Sequence, residues 1–253
     1  MKVATNSTKR VSIHGAQLLK ELADPLFAKD RLDVVVSLIE KDPLAGLLKS
    51  KELGNNAWHF VLNRAYPDSF VLPVIEALMA KSPGGVKALS KNGLTPLHVA
   101  SCRPNSCGTP ETAFAIFKLL VEAYPEPLGV CPDMEQDGGP PLIAYLKRKE
   151  IPNSRIVQLM CEASPQASLR TLDKDKNTAL HVAVQKSIIE ALADDNFENL
   201  VDSPENVCVI RTLLKVRGCS YSQSKLHSQV NSNHVIFFLT FSSTIGKQRR
   251  WST

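Results

Sequence analysis

Three histidines, His59, His98 and His181, recur at one phase of this 253-residue chain. Histidine is the side chain best suited to proton transfer or metal ligation near neutral pH. To share a metal ion the three would have to converge, yet they lie in separate blocks of about forty residues. Equivalent atoms of successive helical blocks stand roughly one helix diameter apart, about 10 Å. Structural roles are therefore expected for all three, not a ligand set or a general base.

Cys102 and Cys107 flank a loop with four residues between them, and Cys131 falls in the next loop. A structural zinc site needs four ligands, and neither a close second Cys pair nor a His-x₃₋₅-His follows. Free thiols are expected there, while Cys161 and Cys208 sit on apolar helical faces and read as core residues. A thiol- or zinc-dependent enzyme using Cys102 and Cys107 is the catalytic reading these residues leave, and it predicts bound zinc. The carboxylate pairs Glu135/Asp137, Asp173/Asp175 and Asp194/Asp195 lie in polar stretches, where water screens them from acid–base work. No His-Glu-x-x-His zinc helix, Gly-x-Ser-x-Gly elbow or phosphate-cradling glycine loop occurs, and Gly246-Lys247 lacks the upstream glycine of a P-loop. Lys147-Arg148-Lys149 reads as a helix C-terminus, where cations face the negative end of the dipole. The expectation is a non-enzyme with no cofactor and no metal.

The elements that hold these residues repeat. Ser37 to Pro43, Ala77 to Pro83, Leu119 to Pro125 and Leu159 to Pro165 end alike, with prolines 40, 42 and 40 positions apart. A second landmark follows each proline: Asn56-Ala57-Trp58-His59, Thr95-Pro96-Leu97-His98, Pro140-Pro141-Leu142-Ile143 and Thr178-Ala179-Leu180-His181. From proline to His (or Ile143) the gaps are 16, 15, 18 and 16, so two independent markers keep phase. Before each proline, apolar residues recur at helical spacing, as in Val74, Ile75, Leu78 and Met79. Pro73, Pro110 and Pro204 sit near helix starts, where a missing N–H costs nothing. Pro83, Pro125 and Pro165 follow helix ends. Turn residues such as Ser90-Lys91-Asn92-Gly93 come next, and Thr95 or Thr178 can cap a second short helix. A lone helix pair leaves its apolar stripe in water, and stacking buries it between neighbours.

Thr95-Pro96-Leu97-His98-Val99-Ala100 and Thr178-Ala179-Leu180-His181-Val182-Ala183 resemble the signature of the ankyrin repeat family, the second departing only at Ala179. The likeness covers about residues 30–217, on a period longer than the family's usual one of about thirty-three residues. It implies an all-α fold, an ankyrin-like α-solenoid of stacked helix pairs joined by turns or short hairpins. It also implies that the phased histidine bonds locally and ties neighbouring turns together. Partner contacts would then come from turn positions: Lys51, Glu52, Ser90, Lys91, Asn92, Glu135, Gln136, Asp173 and Lys174.

The expected organisation is an N-terminal capping helix region over residues 1–30, a repeat array of four to five units over 31–217, and a basic Ser-rich tail over 218–253 outside the native fold. The tail breaks the pattern in mid-repeat, as an incorrect or truncated reading frame would. It carries Lys225, Lys247, Arg249 and Arg250 without an acid, which leaves +1 of the net +5 for the other residues. A near-neutral body argues against phosphate-driven nucleic-acid binding. Residues Met1 to Arg10 are polar, with no signal-peptide core, and no apolar run approaches the length of a membrane span. These features point to a cytoplasmic protein, with the nucleus as alternative, and to a monomer that binds another protein as a non-catalytic scaffold or adaptor. The alternative is the regulatory repeat region of a larger enzyme or channel.

Overall fold

A computed structural model describes residues 13–23, 31–64, 66–102, 108–132, 139–148, 152–193, 209–210 and 212–213. Among them the chain is all-helical, with no strand. The helices are α1 (Ile13–Ala23), α2 (Leu32–Lys41), α3 (Ala57–Asn63), α4 (Asp68–Lys81), α5 (Pro96–Cys102), α6 (Pro110–Ala123), α7 (Pro141–Arg148), α8 (Ser154–Ala163), α9 (Pro165–Arg170) and α10 (Ala179–Ala193). Three 3₁₀ turns, Ala45–Leu47, Pro83–Lys87 and Glu126–Gly129, lie between them.

Packing follows the sequence period. One succession runs α1, α3, α5, α7, α10, each helix touching the next, and a second runs α2, α4, α6, α8. Within a unit α1 packs on α2, α3 on α4 and α5 on α6. Trp58, Leu97 and Leu142 occupy the second position of α3, α5 and α7, and all three are buried. Leu180 holds the same position in α10 and packs against the same core. That core is contiguous from Leu18 and Leu22 in α1 to Val209 and Leu213. Each buried Leu, Ile or Val contributes roughly 1.5–3 kcal/mol.

The short helices need their caps, because seven residues leave most backbone donors of the first turn unpaired. Asn56 caps α3 in a reciprocal box with His59. Thr109 caps α6 with Pro110 at the first helical position, and Asn153 caps α8.

Three local expectations differ from what the chain does. Pro73 is not near the start of its helix: α4 begins at Asp68 and the proline lies inside it. The prolines that close the long helices do not lead into open coil. Pro83 opens a 3₁₀ turn and Pro165 opens α9, since a fixed φ is preorganised for a helical first position. The turns are not hairpins among the described residues, because a single backbone bond, Lys91 N–H to the Leu53 carbonyl, joins the first two and no ladder forms. Leu26, Phe27, Phe197, Leu200, the segment Ser203-Pro204-Glu205, Leu214 and the 218–253 tail lie outside the described residues.

Candidate functional site

Three of the described turns are built the same way. Ser50, Ser90 and Asp173 open them, donating N–H to the carbonyls of Asn55, Leu94 and Asn177 at 2.7, 2.9 and 3.0 Å. Their side-chain oxygens accept the N–H of those same residues at 3.1, 3.1 and 2.7 Å. Just before closure the backbone turns left-handed, at Gly54 (φ 66), Gly93 (φ 73) and Lys176 (φ 63). Glycine takes that region freely, whereas a side chain there is strained.

The first two turns lie side by side. Besides the Lys91–Leu53 backbone bond of 2.9 Å, the Lys91 ammonium donates to the Lys51 carbonyl and the Lys49 ammonium to the Leu89 carbonyl, both at 2.7 Å. Lys51, Glu52, Lys91 and Asn92 are therefore brought together at one exposed edge, with Ser90 half-buried beneath them. Lys174 is exposed in the last described turn. Asp173 is buried: one carboxylate oxygen closes the turn and the other meets Lys147 at 2.8 Å, with Asp175 3.7 Å from the same ammonium. Burial alone would raise the Asp173 pKa, but the Lys147 and Asn177 hydrogen bonds outweigh it and hold the carboxyl below its ordinary value. Ser90 and Asp173 thus build the turns, and Lys51, Glu52, Lys91, Asn92 and Lys174 are exposed beside them. Glu135 and Gln136 lie outside the described residues, as do Cys107, Asp137, Lys149, Asp194, Asp195 and Cys208.

Sequence reasoning passed over Lys49, Leu53 and Leu89. Leu53 and Leu89 are 52% and 51% exposed on this edge. The signal was their place between helices, outside the apolar period, although position alone does not decide exposure: Leu94 beside Gly93 packs against the core.

The histidines tie units together. The Nε2–H of His59 donates to the Leu94 carbonyl at 2.9 Å and that of His98 to the Val130 carbonyl at 3.0 Å. A carbonyl only accepts, so the proton sits on Nε2 and Nδ1 is left as acceptor for the backbone N–H of Asn56 or Thr95, each at 3.3 Å. The Thr95 hydroxyl also meets Nδ1, at 2.8 Å, and Thr178 repeats this with His181 at 2.7 Å. With both ring nitrogens occupied, neither His59 nor His98 is available as base or ligand. Burial lowers the His59 pKa to about 4 and moves His98 the same way, so both rings stay neutral.

Among the cysteines, Cys102 is half-buried, Cys131 exposed and Cys161 buried. Burial, then the charge of Glu162, pushes the Cys161 thiol up to about 12, which suits an inert core residue. Among the described residues no three His, Cys, Asp or Glu side chains group as metal ligands, and no helix is long and apolar enough to cross a membrane. Lys147 and Arg148 fall in the last turn of α7.

No protein-family model matches the chain, and no curated protein matches it.

Proposed function

We propose that this chain is a divergent, long-period ankyrin-like repeat array, an α-solenoid of helix pairs that serves as a non-catalytic protein–protein interaction scaffold. The observation that carries the reading is the recurrence of one hydrogen-bonded unit in phase with the sequence. A turn opens on Ser50, Ser90 or Asp173 and closes on its own backbone, and a capped His follows at the start of the next short helix. His59 and His98 then each bond to a carbonyl 35 or 32 residues further on. Side-by-side turns of this kind offer a continuous polar edge whose residues vary without disturbing the core.

Lys51, Glu52, Lys91, Asn92 and Lys174 are exposed, so they are the contacts we assign to a partner, in a monomer acting in the cytoplasm. Thiol side chains at Cys102, Cys131 and Cys161 suit that reducing compartment.

The test uses the full chain as bait from cell extract, beside a Lys51→Glu, Lys91→Glu, Lys174→Glu variant. A protein retained by the first and lost by the second, with thermal unfolding shifted by only a few degrees, is the expected result. Identical retention by both baits would remove the turn edge from consideration.

A further inference from the structure

Two lysines on this edge are held in place by the neighbouring unit. The Lys49 ammonium is bonded forward to the Leu89 carbonyl, and the Lys91 ammonium is bonded back to the Lys51 carbonyl. An ammonium has three N–H groups, and each of these two spends one on a carbonyl. Among the described residues neither has a carboxylate within ion-pair distance. Two fixed cations with donors to spare therefore flank Leu53 and Leu89, both about half exposed. Fixing a long side chain before binding removes part of the ordering cost from the encounter.

We propose that the edge formed by Lys49, Lys51, Leu53, Leu89 and Lys91 binds an extended, acidic, leucine-bearing segment of a partner protein. The proposal rests on the scaffold reading above and names the chemistry of its partner. Three lysines against the single Glu52 make the patch positive, which selects carboxylates. Exposed leucines, with no arginine or aromatic ring in the patch, favour a peptide over a nucleic acid, whose bases stack on aromatic or guanidinium planes. Neighbouring helix pairs stand about 8–10 Å apart. A polyproline-II segment rises about 3.1 Å per residue with three residues per turn, so a Leu-Glu-Glu-Leu sequence presents two leucines on one side, about 9 Å apart. Its glutamates then fall between them, beside the lysines.

The experiment uses the full chain and a fluorescein-labelled peptide with a Leu-Glu-Glu-Leu centre in Gly-Ser flanks, read by anisotropy at low and physiological salt. Saturable, salt-weakened binding is expected. Leu89→Ser, at a half-exposed side chain, should weaken it about tenfold, the equivalent of about 1.4 kcal/mol. Glu52→Lys should tighten it several-fold, a gain that misfolding cannot imitate, and Lys118→Glu on α6 should leave it unchanged. Absence of binding overturns the proposal, as does equal binding of a Leu-Lys-Lys-Leu peptide or displacement by polyuridylate with no dependence on Leu89. Loss of this peptide alongside a turn-dependent partner in the bait experiment would remove the acidic segment and leave the scaffold.

Discussion

The carboxylate of Asp68 holds the residue that caps the helix of the following unit: it accepts the backbone N–H of Thr109, 41 residues away, at 2.9 and 3.2 Å. The Thr112 hydroxyl adds a third bond at 2.9 Å. One side chain in the first turn of α4 therefore ties the start of α4 to the start of α6. The Thr109 backbone bond chiefly, with the threonine hydroxyls, holds the Asp68 carboxyl below its ordinary pKa.

Asp68→Ala should destabilise the chain by about 1 kcal/mol, the order of a lost hydrogen bond at a partly exposed site. Urea unfolding checks this, and an unchanged midpoint would mean that Thr109 alone suffices. Because the folded pKa is depressed, the Asp68 contribution is present above the unfolded value near 4 and fades as pH falls through the folded one.

His59 and His98 predict a second pH dependence at a higher range. Unfolding exposes both rings, which then protonate near pH 6.5, while folded His59 resists protonation to about pH 4. In that window the unfolded chain binds more protons, so stability falls as pH falls from about 6.5 towards 4. For His59 the loss amounts to about 3 kcal/mol. Urea midpoints measured at intervals between pH 7 and 4.5 report it. A His59→Gln variant should be less stable at pH 7 and show a flatter profile. A flat profile for the unaltered chain would contradict neutral, doubly bonded imidazoles.

The left-handed closing positions make a matched pair. Gly93 has open space around its missing side chain, so Gly93→Ala should cost about 1 kcal/mol through backbone strain alone. Lys176 already bears that strain, with φ 63, so Lys176→Gly should stabilise by a similar amount. Thermal melts of the two variants should move in opposite directions, and parallel shifts would show that the turns are not equivalent.

Thiol chemistry separates the cysteines. With its pKa pushed up to about 12 and its side chain buried, Cys161 should be alkylated at pH 8 no faster than the chain unfolds globally. Cys131, exposed on the surface, should react at a rate set by its own thiolate fraction. Mass-mapped iodoacetamide labelling over time reads both. Fast labelling of Cys161 in the folded chain would place it in an opening segment and not in the core.

What residues dictate over three or four positions was legible in the chain. The helices in phase with the prolines, the buried Trp58, Leu97 and Leu142, and the Thr95–His98 and Thr178–His181 caps all follow from helical periodicity and local hydrogen bonding. The exposed turn positions Lys51, Glu52, Lys91 and Asn92 were readable for the same reason. Tertiary structure alone decided the rest. Asp68 on Thr109, Lys49 on Leu89, Lys91 on Lys51 and Lys147 on Asp173 join positions 26 to 41 residues apart. Whether such groups meet depends on the rise and rotation between units, and these are set by how the buried side chains of adjacent helices interlock. That is why Asp173, polar by composition, proved to be a buried turn-former, and why Lys49 and Lys91 reach across to the neighbouring turn beside two half-exposed leucines.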